Sequence, residues 1–332
     1  MRARGGQSPR SGGTAWRAVL LATVAACTAG PAHEPPRPGA VVETRAAPGP
    51  AELARATRVV VLGTGTPVPD PRRAGASIAV IHRGQAYLFD VGAGAVHNAT
   101  RARYRYDIPA LYPSQICCVF LTHLHSDHTM DYGELAFTLW WRRSDALRAF
   151  GPRGLAGMTE GLYELMAPDT RLRTAGRQPI ADAELYKVDV TEIDAGVVFE
   201  EDGMRIEAFD VDHGSIRPAF GYRITTAERT IVISGDTAYS RNLIEHARGA
   251  DLLFHEVISD RGLERNTAYW QTYHRQAHTP ASALGRLASE VRPGLLVLYH
   301  GLFYGVPERT VIDEVRQNYD GRVVLADDLD IY

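Results

Sequence analysis

Cysteine is nearly absent: Cys27, Cys117 and Cys118 are the three in 332 residues. The last two are adjacent, and neighbours in a strand point to opposite faces, so a disulfide framework is excluded and both read as small buried hydrophobes within ICCVFL. Long apolar runs are missing too, since a bilayer-spanning helix needs roughly 20 residues. The run Ala18–Ala26, AVLLATVAA, has nine. Led by Arg2, Arg4, Arg10 and Arg17 without acidic partners, it reads as a secretory signal over residues 1–26. Excess positive charge is also absent. Loss of the signal removes four arginines and no acid, taking the formal net charge from −3 to −7, which argues against a grip on nucleic acid through its phosphates.

What remains is ordinary globular composition, 45% hydrophobic and 23% charged, enough for a sizeable core. Residues 27–56 are rich in Pro, Gly and Ala without apolar periodicity and read as a flexible tether. From residue 57 to 332 no second such break occurs, so one domain is expected. Arg58–Gly63, Ser77–His82, Ala86–Gly92 and Ile116–His123 are short apolar runs closed by Gly, Asp or His, as buried strands are. Met130–Arg143 and Gly154–Pro168 have helical spacing. Strands then return, followed by helices at 240–249, 279–291 and 307–319. Strands then helices, twice over, predict an α/β chain: two mixed sheets face to face with helices on the outer faces, an αββα sandwich.

The densest chemistry is FLTHLHSDHTMD, Phe120–Asp131. His123 and His125, two apart in an extended segment, project to one side and can share an ion, while Asp127 and His128, after the chain turns, can address a second. Imidazole and carboxylate are the ligands zinc prefers. Any single histidine here could be a solvated loop residue, but four ligand-type side chains in six positions point to metal.

THLHSDH resembles the signature of the metallo-β-lactamase superfamily, and the resemblance runs from Thr57 to Tyr332. VVLGTGTP (Val60–Pro67) is similar to that family's first strand and turn. YLFDVGAG (Tyr87–Gly94) resembles its loop in which Asp90 would orient a ligating histidine. VDHGSIRPAFGYRI, ISGDT and VLYHG supply His213, Asp236 and His300. The resemblance implies that His123, His125 and His213 hold one divalent metal, that Asp127, His128 and His300 hold another, and that Asp236 bridges the two. Zinc is the expected metal, the bridging hydroxide the expected nucleophile, and Asp127 could also accept its proton.

The aspartate in SGDT departs from the secreted β-lactamases, and His125 departs from the flavin-linked di-iron relatives. HEV (His255–Val257) and GYRI look like the ribonuclease Z branch, which implies His255 as general acid steadied by Glu256; a buried strand-end histidine is the plain alternative. His278, at the start of HTPASALGRLA, is expected near substrate or as a helix cap. Only TTAERTIVIS lies where tRNA-processing members carry a long basic arm, so the chain looks closest to the exported arylsulfatase-like group. VAAC resembles a bacterial lipobox, which implies lipidation of Cys27 and an exported, periplasmic, membrane-anchored protein; plain signal cleavage would leave Cys27 a spare thiol.

The expected function is therefore an exported dinuclear hydrolase of small sulfate or phosphate esters. The alternatives are a tRNA 3′-end endoribonuclease and a non-catalytic metal-binding lipoprotein. Expected partners are a small-molecule ester, a membrane through the lipid anchor and a second copy of the chain; nucleic acid is not expected. Trp140 and Trp141 could wall an aryl pocket, although apolar packing is the better reading. His33, His82, His97, His246 and His274 receive no role.

Overall fold

The computed structural model describes residues 57–332. The signal, the tether and Cys27 lie outside the described residues. Two mixed sheets face each other. The first runs β1 (Arg58–Gly63), β2 (Ser77–His82), β3 (Gln85–Phe89), β4 (Cys118–Phe120), β5 (Arg148–Gly151) and β6 (Asp189–Glu192), in that spatial order. The second contains β7 (Gly196–Glu201), β8 (Met204–Asp210), β9 (Phe220–Thr225), β10 (Thr230–Ile233), β11 (Leu252–Ile258), β12 (Leu295–Leu302) and β13 (Val323–Leu325), again in sequence order across the sheet. In each sheet the early strands form antiparallel hairpins and the later ones run parallel.

Alternation sorts the side chains into layers. Val59 and Val61 of β1, Phe254 of β11 and Val297 of β12 point into the space between the sheets. Val60 and Leu62 face outward onto α1 (Ala95–Tyr106), α3 (Tyr132–Phe137) and α4 (Leu155–Ala175). Leu253, Leu296 and Leu298 face outward onto α5 (Arg241–Ala247), α8 (Ala281–Val291) and α9 (Thr310–Val315). Strands covered on both faces read as unbroken apolar runs, which is why VVVL and LLVL carry no polar alternation. The last residue pairs with the first described strand: Val59 and Tyr332 exchange backbone hydrogen bonds at 3.0 and 2.9 Å. Three short helices remain, α2 (Ser126–Thr129), α6 (Asp260–Glu264) and α7 (Ala268–Ala277).

Two helical expectations change. Met130–Arg143 is not one helix. It is α3 followed by a separate 3-10 turn at Trp140–Arg142, with Leu139 at φ 56 between them. The buried Arg143 guanidinium donates to the carbonyl of Leu135 at 2.9 Å, taking the acceptor that the next helical amide would use. The helix expected over Gly154–Pro168 continues through Pro168 to Ala175.

Candidate metal centre

The histidine-rich segment is built as its spacing requires. His123 follows β4 in an extended stretch, His125 (φ −66, ψ 150) is the residue before α2, and Asp127 and His128 lie in the first turn of that helix. Close approach of the neighbouring loop depends on Gly92, where a Cβ would sit 2.0 Å from the carbonyl oxygen of Asp127. The other groups arrive singly. His213 follows β8. Asp236 follows β10 through Gly235. At φ 60, and with only 2.6 Å between any added Cβ and the Phe220 carbonyl oxygen, that position suits glycine alone. His300 lies in β12 where the pairing jumps from Glu256↔Tyr299 to Val257↔Gly301. It is the extra residue of a β-bulge, with φ 46, and the bulge re-aims its ring toward the cluster.

The ring nitrogens and carboxylate oxygens meet in two groups. His125 Nδ1 lies 3.0 Å from His123 Nε2 and 3.2 Å from His213 Nε2. Asp127 Oδ2 lies 3.0 Å from His300 Nε2 and 3.5 Å from His128 Nε2. Asp236 Oδ1 is 3.4 Å from His128 Nε2 and 3.6 Å from His300 Nε2, while its Oδ2 faces His213 Nε2 at 3.9 Å. Tetrahedral zinc with bonds of about 2.0–2.1 Å has ligand edges of about 3.3 Å, and these separations bracket that edge. His128 Nε2 and Asp236 Oδ1 are buried with no hydrogen-bond partner, a costly state unless a cation completes them. The donor set therefore fits divalent metal, and Asp236 turns one oxygen to each group.

Neighbouring groups fix the rings. Asp90 accepts from Thr122 N at 2.7 Å and Thr122 Oγ1 at 2.9 Å, and its Oδ2 takes His128 Nδ1–H at 2.8 Å, which turns His128 Nε2 to the cluster. His213 donates Nδ1–H to the Ala277 carbonyl at 2.8 Å. Burial pushes His123 well below the usual imidazole range and His213 down to about 4, so both rings stay neutral, as metal ligation requires. Burial opposes ionisation of Asp236, but its neighbours His300 and His128 hold its carboxyl well below the usual carboxylate range.

Beside the cluster, Glu256 Oε2 faces His278 Nδ1 at 3.4 Å, and Glu256 Oε1 accepts from Thr279 N at 2.6 Å. His278 Nδ1 is also 4.0 Å from Asp236 Oδ2. The pairing of Glu256 with His255 expected from the sequence is not what the structure brings together. His255 and Glu256 are consecutive in β11 and project to opposite faces; Glu256 reaches the cluster, whereas His255 is fully buried with Nδ1 2.6 Å from the Glu256 backbone oxygen. Among the described residues no hydrogen bond or ion pair joins the His255 ring to the cluster. Strand alternation alone could have separated the two. Trp140 has no exposed surface and packs in the outer core, and Trp141 lies 3.8 Å beneath the Arg173 guanidinium, so neither walls a pocket at the cluster.

An aromatic group that the sequence reading passed over lies on α7, which ends at His278. Trp270 stacks on His274 with ring centroids 5.6 Å apart at 25°, Tyr273 meets Trp270 edge-on at 5.5 Å, and Tyr304 Oη is 2.6 Å from His274 Nε2.

Residues 85–301 match the family model described as the beta-lactamase superfamily domain. The ribonuclease Z of Mycolicibacterium gilvum is 32% identical over 246 residues, covering 73% of this chain and 83% of that protein. Among solved structures, the short form of human tRNase Z superimposes with a TM-score of 0.60 at 21% identity, over 83% of this chain and 98% of that one. Zn(2+)-bound PqqB from Methylobacterium extorquens gives 0.60 at 18% identity, over 83% and 99%. The two structural likenesses establish a shared fold.

Proposed function

Because the chain belongs to the metallo-β-lactamase superfamily, on its ribonuclease Z branch, we propose that it is a metal-dependent phosphodiester hydrolase that cleaves RNA. The sequence placed small sulfate or phosphate esters first and did not lead one to expect nucleic acid; the relatives reverse that order. The observation that carries it is the convergence of His123, His125, Asp127, His128, His213, Asp236 and His300, together with a Glu256–His278 pair at their edge. Two divalent cations, zinc by ligand preference, would supply an acidified water and offset charge on the phosphate oxygens.

The chain's own residues do the rest. His123 and His213 present neutral rings, and Asp236 stays ionised with an oxygen turned to each group. Asp90 keeps the His128 ring from turning. The Glu256 carboxylate faces His278 Nδ1 at 3.4 Å as a counter-charge, and His278 is the group assigned to deliver a proton to the departing oxygen. The His255 ring, on the far side of β11, takes no part.

A second reading, hydrolysis of small diesters, is favoured by one feature. The β9–β10 connection closes over residues 226–229 with Thr226 N bonded to Arg229 O at 3.0 Å, leaving no projecting arm to hold a folded RNA. Metal-loaded protein assayed on a precursor tRNA and on bis(p-nitrophenyl) phosphate separates the two: 3′-end cleavage supports the first, and diester turnover without RNA cleavage supports the second. Failure on both removes the proposal. Export with a lipid on Cys27 is a separate part of the proposal; its test is acyl labelling of wild type and Cys27→Ser with membrane fractionation, and an unlabelled cytoplasmic chain overturns it.

A further inference from the structure

We propose that the exposed aromatic face of α7, centred on Trp270 with Tyr273, is a stacking platform for the base of a nucleotide flanking the scissile phosphodiester. This rests on the phosphodiesterase reading and adds a specificity determinant to it.

Trp270 is 48% exposed, an unusual state for the largest apolar side chain. One face of its ring lies on His274, and His274 is held from behind by the Tyr304 hydroxyl at 2.6 Å. Tyr273 abuts the Trp270 edge. Tyr269 also meets the ring edge-on at 5.9 Å, so this half-exposed ring is held by His274 and two tyrosines and has already lost rotamer freedom, which lowers the cost of stacking a further ring on it.

The helix is locked to the metal centre at its C-terminal end, where the Ala277 carbonyl accepts from His213 Nδ1 and His278 N bonds to His274 O at 2.7 Å. With a rise of about 1.5 Å per residue, Trp270 stands about 12 Å along the axis from His278. That is the span of a nucleotide from phosphate to the far edge of its base. The charge pattern favours an anionic occupant over a neutral aryl ring. The stretch 261–277 exposes Arg261, Arg265 and Arg275 against Glu264 alone, on a chain of net charge −3.

The test compares AMP with ribose 5-phosphate, which lacks the base, by calorimetric titration of the zinc-loaded full chain and of Trp270→Ala, Trp270→Phe and Tyr273→Ala. Base–aromatic stacking is lost on alanine substitution at a scale of about 1–3 kcal/mol, so AMP should bind about 5- to 150-fold more tightly than ribose 5-phosphate. Trp270→Ala should erase that advantage, Trp270→Phe should restore most of it, and Tyr273→Ala should reduce it. Equal binding of the two ligands by wild type, or an undiminished advantage in Trp270→Ala, overturns the platform. Turnover of phosphodiesters is measured separately. A base advantage that depends on Trp270 without any diester cleavage sinks the phosphodiesterase reading and leaves the platform standing; cleavage without the advantage does the reverse.

Discussion

The two sheets furnish the metal centre in opposite ways. The first delivers His123, His125, Asp127 and His128 from one segment between β4 and the end of α2, a contribution complete within six positions. The second delivers His213, Asp236, Glu256 and His300 one at a time from four strands, through a turn glycine in one case and a β-bulge in another. A local motif survives any error in topology. A distributed one exists only if the strands lie in the right order, so the second half of the site reports on the fold while the first half reports on the sequence.

The largest effect that would break this comparison is expected at the residue facing both groups. Asp236→Ala should reduce phosphodiester turnover to background and release one metal equivalent, read by rate assay and metal analysis; a variant that keeps both sinks the bridging role. Next comes the pair at the edge. His278→Ala should lower kcat by about 10²–10⁴-fold, the usual scale for a proton donor, with KM little changed. Glu256→Gln should lower it less and shift the pH–rate profile, and an unchanged profile would make the pair merely structural.

Asp90→Asn tests the first sheet's support of its own motif. Loss of the carboxylate that takes His128 Nδ1–H should weaken metal binding about 10–100-fold, measured by competition with a chelator. The smallest effect on chemistry is expected at His255: His255→Leu should leave kcat within a few-fold of wild type. Its effect belongs to stability. Burial holds the folded His255 ring down to about 4, against about 6.5 unfolded, so as pH falls between those values the unfolded chain takes up a proton that the folded chain refuses. Stability is lost over that window, and His255→Leu should flatten that part of the melting-temperature profile; an unflattened profile contradicts the burial argument.

Much of this was legible in the sequence because strands covered on both faces leave continuous apolar runs, and β1, β2 and β12 fall within such runs, whereas β8 shows the alternation of Arg205 and Glu207 with buried apolar residues. The ligand cluster was legible for a different reason, since an extended pair followed by a helical pair already specifies two directions. What escaped was set by contacts distant in sequence. The break after α3 depends on Arg143 taking the Leu135 carbonyl. The partner of Glu256 is His278, twenty-two positions away, rather than adjacent His255, because pleating sends neighbours to opposite faces. The α1 and α7 helices lack strong apolar stripes: α1 buries small alanines, and α7 keeps Trp270 at the surface.

Zinc stoichiometry after dialysis against metal-free buffer tests the central claim most directly, comparing wild type with His213→Ala and Asp127→Ala. The account predicts two equivalents per chain in wild type and about one in each variant, since each substitution disables one of the two groups. One equivalent or none in wild type, or two retained in both variants, would contradict it.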